Sequence, residues 1–331
     1  MDTRAEGRHQ PRIIGRWIGI ALGFSALSAV ALHAQPPRPP DQVPFARLKA
    51  AAVVPVPLRP GAAETPDGLV LPTDRGVVRV PAATGVPGSP VETGRPCASL
   101  VAGLGAIWVP LCEAGRLGRI DDTTSAVGPP VTLAVADPAG RIATGVGSVW
   151  VASDRRGVVS RVDPDGGTVV AEIRVAAAPS SVVAVDDALW ITSAAGDVLT
   201  HVNAHTNEVV ETVKVGPRPG RLAVGEGAVW VLNRGDGSVS RVDPKTHKVT
   251  ATVAVGADVA EGEIAAGAGS VWISAPGVPL VRIDPERNRV AQRFTGTGGG
   301  AVVVAHGSVW VAADASATWR IDPVLIAAMR P

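Results

Sequence analysis

Nine residues before each of six tryptophans stand Ser99, Arg141, Ser181, Arg221, Glu263 and Ala301, with Gly61 in the matching place of an earlier unit that lacks the tryptophan. Hydroxyl, guanidinium and carboxylate groups recurring at one position form a mixed polar ring. Converging arginines in such a ring suit a carboxylate or phosphate ligand, because the guanidinium fork presents paired charged donors. The segments that should open on the same side add Arg95, Arg218, Asp258 and Glu261, and then Asp154, Arg155, Arg156, Asn233, Arg234 and Asp236. The expected binding residues are therefore Ser99, Arg141, Ser181, Arg221, Glu263, Asn233 and Asp236. The expected partner is a small anionic ligand or a protein. In the competing arrangement these arginines and carboxylates pair with one another across neighbouring loops, each pair contributing roughly 0–1 kcal/mol.

Other chemistry is sparse. Beyond residue 34 the histidines are His201, His205, His247 and His306, and all four fall in or beside turns at the opposite end of the repeated unit. No acid–base pair is expected at the polar ring, and no catalytic residue is assigned. Glu263 with Asp258 and Glu261 offers oxygen donors for a hard cation such as Mg²⁺ or Ca²⁺, against the plainer reading of a solvated acidic loop; no cofactor or metal ligand is assigned. Cys97 and Cys112 lie symmetrically about a turn near Leu104-Gly105, so an antiparallel hairpin sets them opposite each other as a disulfide. Gly296-Thr297-Gly298-Gly299-Gly300 resembles a phosphate loop, but no helix follows it, and it reads as a crossing between units.

The elements that must position these groups come from a repeat. The apolar–Trp pairs end at Trp108, Trp150, Trp190, Trp230, Trp272 and Trp310, spaced by 42, 40, 40, 42 and 38 residues, and Val70 stands in the place of Trp in a unit before them. Seven units of this period fit four-stranded propeller blades. Within one unit, residues 221–225, 228–232, 238–243 and 248–255 alternate as four strands separated by turn residues. Eight before each Trp is an apolar residue that should face the core. Seven before it, Val101, Ala143, Val183, Ala223, Ala265 and Val303 should line a narrow channel. The last unit has three strands and no alternating fourth, whereas residues 51–58 form an orphan strand. The N-terminal strand is thus expected to complete the last blade as its outermost strand, where Pro55 and Pro57 are tolerated. The phrase Arg-Val-Asp-Pro recurs in several units and reads as a blade-building part, its Asp bonding the backbone N–H groups of the following turn.

On the phrases GEGAVWV, GVGSVWV, SRVDPKTHKVTATVAVG and SRVDPDGGTVVAEIRV, the chain resembles the YVTN-type seven-bladed propellers and the wider group that includes virginiamycin B (streptogramin) lyase. The resemblance covers about residues 50–323 and implies an all-β, seven-bladed β-propeller with four-stranded blades. For the lyases it implies a His general base with a Glu-held Mg²⁺ that opens an ester by elimination. No His stands at the matching mouth here, so no catalytic residue carries over.

The organisation expected is a targeting segment at 1–34, a proline-rich linker at 35–46, the propeller at 47–323 and a tail at 324–331. Arg4, Arg8, Arg12 and Arg16 precede an apolar run from Trp17 to Ala31 that ends in small residues, the pattern of an exported protein's signal peptide; uncleaved, it would be the one membrane attachment. A formal net charge of +1 excludes the concentrated basic face that nucleic acid requires. Outside the repeated tryptophans and residues 1–34, only Phe45, Phe294 and Trp319 are aromatic beyond histidine, too few for a base-stacking platform. The function expected is a periplasmic or secreted, monomeric, non-catalytic binding or scaffold module. The alternatives are a metal-dependent lyase of the streptogramin lyase type and an accessory subunit of a periplasmic redox system.

Overall fold

The computed structural model describes residues 41–97, 99–133 and 141–329. The targeting segment and most of the proline-rich stretch lie outside these residues. Seven sheets built on antiparallel pairing follow one another; the first five run from an inner to an outer strand in chain order, and the last two take their outermost strand from the N-terminal region. Blades 1 to 5 begin at Ala63, Val101, Ile142, Pro179 and Pro219, blade 6 at Glu263 and blade 7 at Val302. In blade 5 the strands are Pro219–Gly225, Ala228–Asn233, Ser238–Asp243 and Lys248–Ala254, close to the bounds expected from alternation. No helix among the described residues is long and apolar enough to cross a membrane.

The ring closes as expected. Ala52–Val54 pairs with the third strand of blade 7, Val53 opposite Trp319, and forms the outermost strand of that sheet. The N-terminal region also supplies a strand the sequence reading had assigned to the linker. Asp41–Pro44 runs parallel to Arg289–Thr295, with Val43 opposite Phe294, and gives blade 6 a fifth strand. Val43 and Phe45 are buried, so the linker assignment fails at its C-terminal end for lack of solvent. The expected tail is likewise structured. Pro323–Ala328 is a short helix whose N-terminus is capped by Asp322, which accepts from Val324 N. Its Ile326 is fully buried, and Gln292 Nε2 donates to the carbonyls of Ile326 and Met329 at 2.9 and 2.8 Å. Phe45 stacks on Trp319 with ring centroids 5.1 Å apart, so both chain ends lock onto the junction of blades 6 and 7.

The core is divided among the seven junctions between blades. Trp150 packs with Val182, Leu189, Ile191 and Val202 of the next blade, and Trp230 packs with Ile264, Val271, Ile273 and Val281. Trp310 packs with Leu69, Leu71, Val78 and Val80, joining the last blade to the first. Where Val70 replaces Trp, the wedge is filled by Leu100, Ile107, Val109 and Ile120. Burying each tryptophan requires a partner for its indole N–H. Trp150 Nε1 donates to Gly145 O at 2.9 Å, and Trp230 and Trp272 bond the carbonyls of Gly225 and Gly267 at 3.0 Å. Gly145 has no room for a side chain, since a Cβ there would lie 2.6 Å from that of Ala184 in the next blade.

Four junctions also have an outer fastening, built from the repeated Arg and Asp. Arg119, Arg161, Arg241 and Arg320 lie over the faces of Trp108, Trp150, Trp230 and Trp310, 4.9 to 5.7 Å from the ring centroids. Each then reaches the turn of the following blade. Arg119 donates to Pro164 O, Arg161 to Asn207 Oδ1, Arg241 to Pro285 O and Asn288 Oδ1, and Arg320 to Ala82 O. The Asp two residues on holds its own turn, as expected. Asp243 Oδ1 accepts from Lys245 N and Thr246 N, and these bonds hold its carboxyl below the ordinary range.

Blade 4 departs from this pattern. His201 stands where the other blades carry Arg and stacks on Trp190 with centroids 4.6 Å apart, and His247 of the next blade's turn faces it at 4.6 Å. His247 takes positive φ, a position held by Asn207 and Asn288 in neighbouring turns. Burial first, and then the proximity of His247, push the His201 imidazole below its ordinary pKa. The neutral form is therefore favoured in the folded state. The stability it contributes is complete above about 6.5, the unfolded value, and is lost as pH falls through the depressed folded value. Asp187, bonded to His205 at 2.8 Å, and Lys245 flank this seam. Replacing both residues (H201R with H247N) restores the Arg–Asn fastening of the adjacent junctions. Thermal melts from pH 7.5 to pH 5 are expected to show a smaller acid-induced fall in Tm for the double variant than for the parent. An equal fall would show that this seam carries no pH sensitivity.

Candidate functional site

The first strands converge on the ring axis and deliver the repeated polar position to one end of the channel. The residues expected to face the core, Leu100, Ile142, Val182, Leu222, Ile264 and Val302, are all buried. Of their neighbours nine before each Trp, Ser99, Arg141, Arg221 and Glu263 line two adjoining cavities of about 710 and 230 Å³. The larger lies over blades 5 to 7 and is lined on one side by Arg221, Arg234, Glu261 and Glu263. The smaller is lined by Arg59, Arg95, Ser99, Arg141 and Arg221, so Arg221 forms part of both walls.

Glu263 is the pivot of the site. One nitrogen of Arg141, Nη2, donates to both of its carboxylate oxygens at 2.6 and 2.9 Å, and Arg221 Nε donates to Oε1 at 2.9 Å. Arg141 belongs to blade 3 and Glu263 to blade 6, so the first pair bridges the mouth rather than joining adjacent loops. The side chains are 13%, 9% and 16% exposed for Arg141, Glu263 and Arg221, which makes this a largely desolvated cluster. Burial dominates the electrostatics. It lowers the Arg141 pKa and, with the Arg141 charge, brings Arg221 down to about 10 in spite of Glu263. Arg234 is also lowered, by burial and then by Arg221.

Donor capacity remains after this pairing. Arg221 commits only its Nε, and the Arg234 guanidinium makes no hydrogen bond among the described residues; its Nε is buried without a partner. Arg141 Nε and Ser99 Oγ are buried and unpartnered as well. Gly220 seats Arg234, because a Cβ at that position would fall 2.3 Å from Arg234 Nε.

Not every expected residue reaches the mouth. Asn233 is fully buried inside blade 5, donating to Ser238 Oγ and Ser240 Oγ at 2.9 Å, and Asp236 caps its own turn by accepting from Ser238 N and Oγ. Ser181 is buried and lines neither cavity. For Asn233 and Asp236 the physical reason is that the turn and the blade interior take up the polar groups before the cavity does. Three arginines outside the expected set do line the cavities, Arg59, Arg95 and Arg234. Arg95 and Arg234 were legible as loop residues. Arg59 stands two residues before ring position Gly61, and that period-2 offset was the available signal; it pairs with Asp74 at 2.6 and 3.1 Å. Cys97 and Cys112 form the expected disulfide, with Cα atoms 5.8 Å apart, beside the smaller cavity.

The donor set does not suit a divalent cation. The buried carboxylate is already bonded by two guanidiniums, and no group of three His, Cys, Asp or Glu side chains among the described residues is arranged to hold a metal. His201, His205 and His247 cluster at the blade 4–5 seam on the opposite face, and His306 Nε2 bonds Thr65 O there at 2.9 Å.

Comparison with solved structures decides the fold type. A streptogramin B lyase structure is 19% identical, with 80% of this chain and 93% of that chain covered at a TM-score of 0.65. Selenomethionine-substituted virginiamycin B lyase from Staphylococcus aureus is 17% identical, covering 81% and 95% at 0.65. The fold is virginiamycin B lyase-like. A catalytically inactive His-to-Ala form of the Staphylococcus aureus enzyme with quinupristin overlays this virginiamycin B lyase-like propeller at a TM-score of 0.67, 17% identity and 82% and 99% coverage. No protein-family profile and no curated protein matches the chain.

Removing one partner of a desolvated ion pair strands the other's charge. Glu263→Ala is expected to destabilise the protein by about 3–5 kcal/mol, measured by denaturant unfolding. Asp74→Ala, which breaks an exposed pair, should leave stability nearly unchanged. Equal, small effects would show that the bridge across the mouth contributes no stability.

Proposed function

We propose that this chain is an exported, non-catalytic propeller that binds an anionic ligand or partner at the arginine-lined mouth. The observation that carries the reading is the pair Arg221 and Arg234, whose remaining guanidinium donors border a 710 Å³ cavity without protein partners. A largely buried guanidinium left without hydrogen-bond acceptors is unfavourable, and an anion supplying them relieves that cost. The cavity volume lies within the usual range for small-molecule sites, about 300–1,000 Å³. Export is supported by the disulfide, which persists in oxidising compartments, together with the arginine-flanked apolar run at the N-terminus.

The non-catalytic part of the reading rests on the chemistry of the mouth. A structural neighbour is catalytically inactive with a His replaced by Ala. The described histidines of this chain are on the other face, and Glu263 is committed to two arginines. No histidine among the described residues stands at the mouth to act as a general base, and the buried Glu263 is already held by two guanidiniums.

A thermal-shift screen of small anions should raise the midpoint of the purified protein, since a ligand of the native state stabilises it. Arg221→Ala and Arg234→Ala are each expected to weaken the best anion by more than about tenfold, read by calorimetric titration. Unchanged affinity in both variants would make the arginines purely structural. Opening of a streptogramin B ester by the purified protein would overturn the non-catalytic reading.

A further inference from the structure

Resting on that reading of the mouth, we infer that the ligand is a monovalent organic carboxylate with an apolar body. Its head would lie at Arg221 and Arg234, and its body along the apolar lining of the larger cavity.

The lining is mixed in chemistry. Blade 5 supplies Arg221 and Arg234, while Pro57 and Leu58 beside Arg59 in the N-terminal segment, Pro276 of blade 6, and Ala312 and Ala315 of blade 7 supply apolar lining. Between them Gly298, Gly299 and Gly300 contribute backbone alone. All three have positive φ, at 107°, 95° and 110°, and a Cβ on Gly299 would fall 2.3 Å from Ala275 O. This stretch therefore places no side chain in the cavity, and a volume of 710 Å³ remains, of which an inorganic ion would fill a small part.

The charge balance selects one negative charge over two. Arg59, Arg95, Arg141, Arg221 and Arg234 line the two cavities against Glu261, Glu263 and Asp314, with Asp74 bonded to Arg59, which leaves one positive charge in excess. Asp314 lies on the far rim, its carboxylate accepting from Ser316 N, Ser316 Oγ and Ala317 N. A second negative charge on the ligand would exceed this balance and meet Glu261 and Asp314. A carboxylate is planar and matches the guanidinium fork with two parallel bonds, and an apolar body gains by leaving water for the proline and alanine wall.

Calorimetric titration of the purified full chain with acetate, butanoate, hexanoate, octanoate and inorganic phosphate tests this. Affinity is expected to rise about threefold for each added methylene beyond butanoate, with phosphate weaker than hexanoate. Arg234→Met should weaken every carboxylate by about tenfold or more. Ala315→Asp, at an exposed wall position, should leave acetate binding unchanged and flatten the dependence on chain length. An affinity independent of chain length, with phosphate binding as tightly as octanoate, would overturn this inference while leaving an anion site at the mouth. Absence of binding by the whole series, phosphate included, would overturn both.

Discussion

A tryptophan on the second strand of one blade, buried against the inner strands of the next, is the contact on which the ring depends. A single four-stranded sheet of small apolar residues cannot bury both of its faces. The indole fills the wedge that opens between two twisted sheets, and its N–H is satisfied by a glycine carbonyl five residues upstream. That glycine carries no side chain because the next blade stands against it, as at Gly145 and Ala184. The overlying arginine adds a cation–π contact and a hydrogen bond to the following blade, and the Asp two residues later fixes the turn from which the fourth strand starts. Wedge, fastening and turn make one module, and closure of the ring uses that module once more, Trp310 against blade 1.

Because the repeated residues are taken up by assembly, the properties that distinguish this protein lie at positions where the copies differ. At the mouth, the ring position carries Arg in blades 3 and 5 and Glu in blade 6, and closure brings Arg141 and Glu263 together across the opening. The resulting cluster is poorly hydrated. Desolvation outweighs the favourable carboxylate in setting the Arg221 pKa near 10, and Arg234 is left with no compensating bond. At the other face, blade 4 replaces the arginine fastening with a pair of imidazoles, which exchanges a permanent charge for a titratable one.

Much of this protein was determined by the sequence itself. The period of about 40 residues specified seven blades, the missing last strand and the orphan strand near Ala52 specified how the ring closes, and counting back from each Trp located Arg141, Arg221 and Glu263. These features are local or nearest-neighbour, and alternation and turn chemistry encode them directly. Tertiary structure alone decided the rest. The bond between Arg141 and Glu263 joins residues 122 apart, and no periodicity states which of seven inward positions will meet across a closed ring. Asn233 and Asp236 looked available as loop residues and were taken by the blade's own hydroxyls and turn. Arg59, Asp41–Pro44 and the C-terminal helix found their places only because the ends of the chain are brought to the last two blades. Local pattern determines the blade; what faces what across the mouth follows from closure, where distance in sequence no longer measures distance in space.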